Sequence, residues 1–146
     1  MDNKLKSKTR LAAIQIVSQQ LVNHEDIQSL KDEFDKYYRN TVIDENLEIV
    51  KYNVNFLSKL INYFKTSNYS DISKEINALI TFDRKFDKWD NINKAIILLA
   101  ISEIRNTDKE KNKIILNDYI EISKSFVDIK ETKLINFILD KIINDK

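Results

Sequence analysis

Apolar residues recur at intervals of three and four along most of this chain of 146 residues, and polar residues fill the positions between them. The spacing follows the turn of an α-helix rather than the alternation of a β-strand, so it predicts helices although the chain is rich in isoleucine. The pattern predicts an all-α protein of about seven helices. The first five cover about residues 9–22, 25–38, 44–64, 71–82 and 91–105, the sixth opens at a capping box of Thr107 and Glu110, and the seventh follows an N-cap at Thr132.

Two of these segments predict the architecture. The third has the most regular pattern and starts near Asp44, with its apolar face formed by Leu47, Val50, Val54, Leu57, Ile61 and Phe64. The fifth, from Asn91 to Arg105, is apolar nearly all round, which is typical of a helix surrounded by others. A division near Asn68 gives a three-helix N-terminal subdomain (about 1–68) and a C-terminal helical subdomain (about 69–146), with the third helix packing against both.

Glycine and proline are both absent, which excludes several phosphate-binding and catalytic loops and limits the residues that can end a helix. Walker A loops, dinucleotide-binding loops and nucleophile elbows need glycine, because their backbone takes positive φ or approaches phosphate closely. Helices must end at other residues, and asparagine tolerates the left-handed conformation best among them. We therefore expect Asn40, Asn68 and Asn106 to end helices, and Ser70 to cap the fourth.

No residue pattern predicts catalysis, a metal site or a cofactor. The chain has no cysteine, and its single histidine, His24, is expected at the surface or in a helix cap rather than in a zinc site. Carboxylate pairs such as Asp118 and Glu121 lie on single predicted helices, where they form a solvated face. There is no apolar run long enough for a membrane span and no signal-peptide pattern, so a cytoplasmic protein that is not an enzyme is expected.

Local charge indicates binding surfaces although the formal net charge is only +1. Residues 1–10 are expected to form a flexible basic arm that could contact phosphates through Lys4, Lys6, Lys8 and Arg10. Lysine is frequent throughout the chain, however, and compositional drift is the alternative explanation. A second basic patch of Lys124, Lys130 and Lys133 flanks Phe126, for which packing in the core is the favoured interpretation. Residues 25–48 form an acidic stretch.

Three segments resemble the NusB family of bacterial transcription antitermination factors. They are Arg10-Leu-Ala-Ala-Ile-Gln-Ile-Val17, Lys94-Ala-Ile-Ile-Leu-Leu-Ala-Ile-Ser-Glu-Ile104, and the stretch from Ile114 to Lys141. The resemblance implies two packed helical subdomains. It also implies binding of boxA-like single-stranded RNA, with the ribosomal protein NusE, in an RNA polymerase antitermination complex.

The resemblance also assigns RNA-binding residues. Those expected at RNA are Lys4, Lys6, Lys8, Arg10 and Gln15 of the arm and first helix, and Lys130, Lys133 and Leu134 at the junction of the last two helices. The chain departs from the family at several positions: Ser18, Leu134 and Ser102 replace aromatic residues, Leu98 replaces an arginine, and Val127 and Phe137 replace glycines. Loss of stacking rings leaves an alternative open, a scaffold that binds NusE or forms a homodimer with weakened RNA specificity. The chain is expected to be a monomer or a homodimer.

Overall fold

The computed structural model describes residues 1–38, 52–82 and 84–144. Within these ranges the chain forms seven α-helices and no β-strand, which confirms the predicted all-α fold. The helices are α1 (Asn3–Asn23), α2 (Ile27–Tyr38), α3 (Val54–Thr66), α4 (Tyr69–Leu79), α5 (Asn91–Arg105), α6 (Asn112–Ser123) and α7 (Ile129–Asn144). Two short 3₁₀ turns, Phe86–Lys88 and Lys109–Lys111, precede α5 and α6. None of the described helices is long and apolar enough to cross a membrane.

Helix α5 is the centre of the packing. Every residue from Asn93 to Ile104 is buried, as its apolar pattern predicted. Helices α1, α2 and α3 pack on one another, α5, α6 and α7 do the same, and α1 and α3 both lie against α5. Buried side chains from Ala12 to Ile142 form one continuous core. The division into two subdomains near Asn68 stays a prediction.

Helix α1 is longer than the pattern predicted, because it has a cap near the start of the chain. The Asp2 side chain accepts a hydrogen bond from the Leu5 backbone N–H at 2.7 Å, and α1 begins at Asn3. A carboxylate at this position accepts from an otherwise unpaired N–H, and its negative charge is stabilised by the positive end of the helix dipole. The expectation of a flexible basic arm is therefore wrong, because its lysines lie in the first turns of a helix.

Helix α3 is shorter than predicted. Asn53 is its N-cap and accepts a hydrogen bond from the Phe56 N–H at 2.8 Å, while Tyr52 and Asn53 are not helical. The Asn53 N–H donates to the Thr9 hydroxyl of α1 at 2.9 Å, which holds this helix entrance in place. A continuous helix from Asp44 through this point is therefore wrong. The predicted start itself, with Leu47 and Val50, lies outside the described residues.

Two of the predicted asparagine and serine caps have other roles. Asn68 begins α4 instead of ending α3, since its side chain accepts from the Asp71 N–H at 3.0 Å. Ser70 therefore lies inside α4 and is not its cap. Asn106 does end α5, as predicted, but with φ of −110° and not in the left-handed conformation on which the prediction was based. Asn40 lies outside the described residues.

The predicted threonine caps were wrong for a common reason: each hydroxyl contacts the end of the preceding helix, Thr107 that of α5 and Thr132 the Ser123 hydroxyl of α6 at 3.4 Å. Thr107 donates to the Glu103 carbonyl at 2.9 Å and so closes α5 rather than opening α6. Thr132 is buried inside α7, whose first turn is capped by Asp128 accepting from the Glu131 N–H at 2.9 Å. His24 was predicted at the surface or in a helix cap, and it is both exposed and a cap. It ends α1 with φ of 58°, and its N–H donates to the Gln20 carbonyl at 2.8 Å.

Candidate nucleic-acid interface

Helix α1 separates the basic residues that the sequence grouped together. Successive residues of an α-helix are rotated by about 100° from one another, so Lys4, Lys8 and Gln15 share one face. All three side chains are exposed. Lys6 lies on another side of the helix, half-buried, in a groove of about 810 Å³ between α1, α3 and α6. The residues of the expected arm thus point in at least two directions.

Arg10, the fourth basic residue of that group, is buried in an ionic network. Its Nε and Nη2 donate to the two carboxylate oxygens of Glu103 at 2.9 and 2.6 Å, and its Nη1 donates to Asp118 at 2.6 Å. The side chain is only 6% exposed. Both carboxylates occupy its donors, so the expectation of an exposed Arg10 available for RNA is wrong. Its described contacts join α1 to α5 and α6.

Other side chains complete this network. The Tyr119 hydroxyl donates to Glu103 at 2.9 Å, and the Ser7 hydroxyl donates to Asp118 at 2.5 Å. Burial would lower the pKa of Arg10, but the hydrogen bond and the charge of Glu103 outweigh it and raise that pKa above its ordinary value. Burial, and then the negative charge of Glu103, raise the pKa of Tyr119 well above its ordinary value. The network therefore holds a charged arginine and a neutral tyrosine.

The junction between α6 and α7 exposes an aromatic ring. Helix α6 ends at Ser123, and the Phe126 N–H donates to the Ser123 carbonyl at 3.0 Å in the turn that follows. Phe126 therefore lies beyond the end of the helix. The side chain is 43% exposed, so the favoured interpretation of core packing was wrong. Ile129, three residues later, is 72% exposed.

Exposed lysines precede and follow Phe126 along the chain. Lys130 and Lys133 are both exposed in the first turns of α7. Lys124, which precedes Phe126, is also exposed and forms an ion pair with Glu121 at 2.9 Å. The end of α6, the turn that follows it and the first turns of α7 thus expose one aromatic and three cationic side chains. Helix α6 packs against both α1 and α7, so the helices that carry the two basic groups share a neighbour.

Leu134, the remaining predicted site residue, is half-buried and packs against the core. It lines a cavity of about 160 Å³ between α7 and the segment that leads into α5. The lining residues are Phe82, Arg84, Trp89, Asp90, Asn93, Glu131, Leu134 and Ile135. This cavity was not predictable from the sequence, because its walls come from segments that are far apart in the chain. Neither segment departs from an ordinary helical pattern of polar and apolar residues.

The positions that depart from the family pattern are accommodated without strain. Among the described residues only His24 has positive φ, so neither Val127 nor Phe137 occupies a backbone conformation that requires glycine. Ser102 is buried and donates to the Leu99 carbonyl at 3.0 Å. Phe137 is 45% exposed, with the Lys141 ammonium 5.8 Å from its ring centroid.

Helix α2 and the residues before it carry the described part of the acidic stretch. Glu25, Asp26, Asp32 and Glu33 are all exposed. Asp35 is instead paired with Lys31 at 2.6 Å and accepts a hydrogen bond from the Tyr52 hydroxyl at 2.6 Å. This helix therefore presents a negative surface, distinct from the lysines of α7.

Comparison with known proteins agrees with the sequence resemblance. A family model described as the NusB family matches residues 7–144. The transcription antitermination protein NusB of Rickettsia felis is 25% identical over 156 aligned positions, which cover 98% of this chain and 95% of that protein. The protein of the same name from Blochmanniella floridana is 34% identical over 90 positions (59% of this chain, 65% of that protein). That from Colwellia psychrerythraea is 30% identical over 89 positions (57% and 63%). The family model thus matches the chain from the second turn of α1 to the end of α7, and the fold is all-α. This chain therefore belongs to the NusB family.

Proposed function

We propose that this protein is a transcription antitermination factor that binds boxA-like single-stranded RNA together with the ribosomal protein NusE and assembles on RNA polymerase. Membership of the NusB family and the names of its relatives support the role in antitermination. The observation that carries the RNA part is the exposed Phe126 ring in the turn before α7, whose first turns expose Lys130 and Lys133. Single-stranded RNA is bound by this combination, since bases stack on aromatic rings and lysines contact phosphates.

The proposed RNA surface has two parts. At the α6–α7 junction, Phe126 offers a stacking surface, and Lys130 and Lys133 offer phosphate contacts. On α1, Lys4 and Lys8 add positive charge, and the Gln15 amide can donate to and accept from an unstacked base. Arg10 acts on this surface only indirectly, by fixing α1 against α5 and α6.

The proposed NusE surface is the acidic face of α2. Its exposed carboxylates would attract a basic ribosomal protein, because complementary charge raises the association rate. In this mechanism the protein does no chemistry. It holds an RNA segment and a protein partner close together, so that each binding event raises the effective concentration of the other.

Fluorescence anisotropy with labelled boxA-like RNA and with a scrambled RNA, each with and without NusE, tests the proposal. Tighter binding of the boxA-like RNA in the presence of NusE is expected. Equal binding of both RNAs under all conditions would overturn it.

The salt dependence locates the surface. Changing Lys130 and Lys133 to glutamine should flatten the slope of log K against log salt by roughly 0.7 for each phosphate that the variant no longer neutralises. A matched control changes Lys74 and Lys109, which are exposed on α4 and before α6, and should leave the slope unchanged. An equal effect of both pairs would show nonspecific charge attraction.

A scaffold with weakened RNA specificity is the second candidate function. Two residues that the resemblance assigns to RNA binding favour it, because both are engaged inside the protein. Arg10 is paired with carboxylates, and Leu134 packs against the core. Such a scaffold would bind NusE, or a second copy of itself, equally well with any RNA or with none. Sedimentation velocity of the chain alone and with NusE separates these cases.

A further inference from the structure

We infer that the outward face of α7, formed by Ile129, Lys133, Phe137 and Lys141, is a second surface for single-stranded RNA, an inference that rests on the proposed RNA binding. The strand that stacks on Phe126 would continue along α7. There Phe137 would stack a further base, and the two lysines would contact phosphates. Binding on this face does not depend on base sequence, because every base has a face that can stack.

The four residues lie at intervals of four along one helix. Residues four positions apart are neighbours on the surface of an α-helix, so they follow one another along one side of α7. With a rise of 1.5 Å per residue, Lys133 and Lys141 are roughly 12 Å apart along the axis, and Phe137 lies midway. The other side of α7 packs against α5 and α6. The residues buried there are Thr132, Ile135, Ile138, Leu139 and Ile142.

Exposed apolar side chains are concentrated at this part of the surface. Phe137 is 45% exposed and Ile129 is 72% exposed, and Phe126 is exposed in the turn before the helix. Apolar residues exposed singly are normal on a protein surface, whereas several close together mark an interaction site. This clustering therefore indicates a partner that covers the outward face.

The outward face is also positively charged. The exposed residues of α7 are Ile129, Lys130, Lys133, Asn136, Phe137, Asp140, Lys141 and Asn144. Three lysines thus accompany a single carboxylate, that of Asp140, which accepts a hydrogen bond from the Asn144 side chain at 3.4 Å. None of the three lysines forms an ion pair with another described residue. Lysines free of carboxylates can neutralise phosphates, and continuity with Phe126 favours RNA over an acidic protein as the occupant.

Phe137 offers a ring on which a base can stack. The Lys141 ammonium lies 5.8 Å from the centroid of this ring. A contact between a cation and an aromatic ring is weak at an exposed site, because water competes for the charge. The lysine can therefore turn to a phosphate while a base takes its place on the ring.

Phe137 also distinguishes this chain from the family pattern, which has glycine at this position. A glycine can neither stack a base nor add apolar surface. Ser18 and Leu134 stand where the same pattern has aromatic residues, so this chain lacks two rings and carries one at a new place. The surface on α7 is therefore a property of this sequence rather than of the family pattern.

The test compares RNAs that differ only in what precedes or follows a boxA-like core. One RNA is the core alone, a second set adds a uridine tract at either end, and a third set adds an abasic tract of the same length. The uridine tract offers bases and phosphates, whereas the abasic tract offers phosphates alone. Fluorescence anisotropy is measured with the full chain and NusE. At one of the two ends, the uridine tract should strengthen binding roughly 5- to 100-fold more than the abasic tract, the effect of one stacked base.

Three substitutions separate the ring from the charge. Phe137→Leu keeps an apolar side chain in the helix but removes the ring, so the uridine tract should bind no better than the abasic tract. Phe137→Trp keeps a stacking ring and should retain the gain. Lys141→Gln should flatten the slope of log K against log salt by roughly 0.7 for the extended RNA alone. Both side chains are exposed, so every variant should bind the core as the unmodified chain does.

Matched controls lie on other helices. Ile114 is 64% exposed on α6, and Lys74 is exposed on α4. Ile114→Ala and Lys74→Gln should leave both the gain from the uridine tract and the salt slope unchanged. An equal loss in these controls would refute a specific surface on α7, since it would reflect general apolar or charge attraction.

The outcomes distinguish this surface from the proposed function. If the boxA-like core binds better than a scrambled core, yet neither tract adds affinity or Phe137→Leu keeps the whole gain, the surface on α7 is refuted for RNA. The RNA surface at Phe126 then stands, and an acidic protein is left as the occupant of α7. If both cores bind equally, the proposed function fails, and dependence of the gain on Phe137 still decides the surface on α7.

Discussion

Replacing Arg10 with methionine should make this protein much easier to unfold. The substitution keeps a long side chain on α1 but removes the guanidinium that faces Glu103 and Asp118. Glu103 is 2% exposed, so its charge would remain in the interior without a counter-ion. A buried carboxylate in that state is strongly destabilising, because it has lost water without gaining a partner.

The magnitude follows from what remains around the two acids. Removing one partner of a buried ion pair costs about 3–5 kcal/mol. Glu103 would keep its hydrogen bond from Tyr119, and the Asp118 side chain is 18% exposed and can be hydrated. We therefore expect a loss at the lower end of that range, about 3 kcal/mol. For a chain of this length that lowers Tm by roughly 6–12 °C.

Urea unfolding near neutral pH, followed by far-UV circular dichroism, measures the loss. Lys8→Met is the matched control, because Lys8 lies on the exposed face of the same helix, and it should change stability by no more than about 0.5 kcal/mol. Adding Glu103→Gln to Arg10→Met removes the uncompensated charge. The double variant should therefore recover part of the lost stability, which is the sign of direct coupling.

Two results would refute the reasoning. Equal stability of Arg10→Met and Lys8→Met would mean that the ionic network contributes little to the fold. With Glu103→Gln also measured alone, a double variant whose loss equals the sum of the losses of Arg10→Met and Glu103→Gln would mean that Arg10 and Glu103 do not act as a pair.

Three further predictions concern a cap, a titration and the exposed ring. Asn53→Ala should cost about 1 kcal/mol in urea unfolding, because it removes the N-cap of α3; no change would show that this side chain does not hold the helix start. The folded-state pKa of Tyr119 lies well above the ordinary value of 10.0, so the unfolded chain loses this proton first and stability falls as pH rises above about 10. Tyr119→Phe should make that fall shallower, and an identical pH dependence in both proteins would contradict the assignment. Phe126→Ala should weaken RNA binding roughly 5- to 100-fold but change stability by only about 0.5 kcal/mol, whereas a large stability loss would return this ring to the core.

The helices were predictable where the apolar pattern itself changes at their ends. Helix α5 matches its prediction at both ends, Asn91 and Arg105, because an all-apolar segment stops abruptly at polar residues. Helix α2 begins two residues later than predicted. Caps were harder, since a serine, threonine or asparagine in sequence does not reveal which neighbouring N–H or carbonyl it will meet. Thr107 was predicted to open α6 but closes α5, and Asn68 was predicted to end α3 but opens α4.

The contents of the candidate site were less predictable, because they depend on contacts between distant segments. Arg10 and Glu103 are 93 positions apart, and periodicity cannot pair them. A signal was present, however: each is a charged residue within the buried face of an apolar helix, where a charge must find a partner. The cavity at Asn93 gave no such signal, since an asparagine in the first turn of a helix is ordinary.

The burial of α5 determines how its backbone amides exchange hydrogen with the solvent. All residues from Asn93 to Ile104 are buried, and α1, α3, α6 and α7 all pack against this helix. No partial opening of one neighbouring helix would expose them all to solvent. Their hydrogen exchange should therefore require global unfolding and report the full stability of the protein, while amides near the ends of α2 and α7 exchange through local fraying.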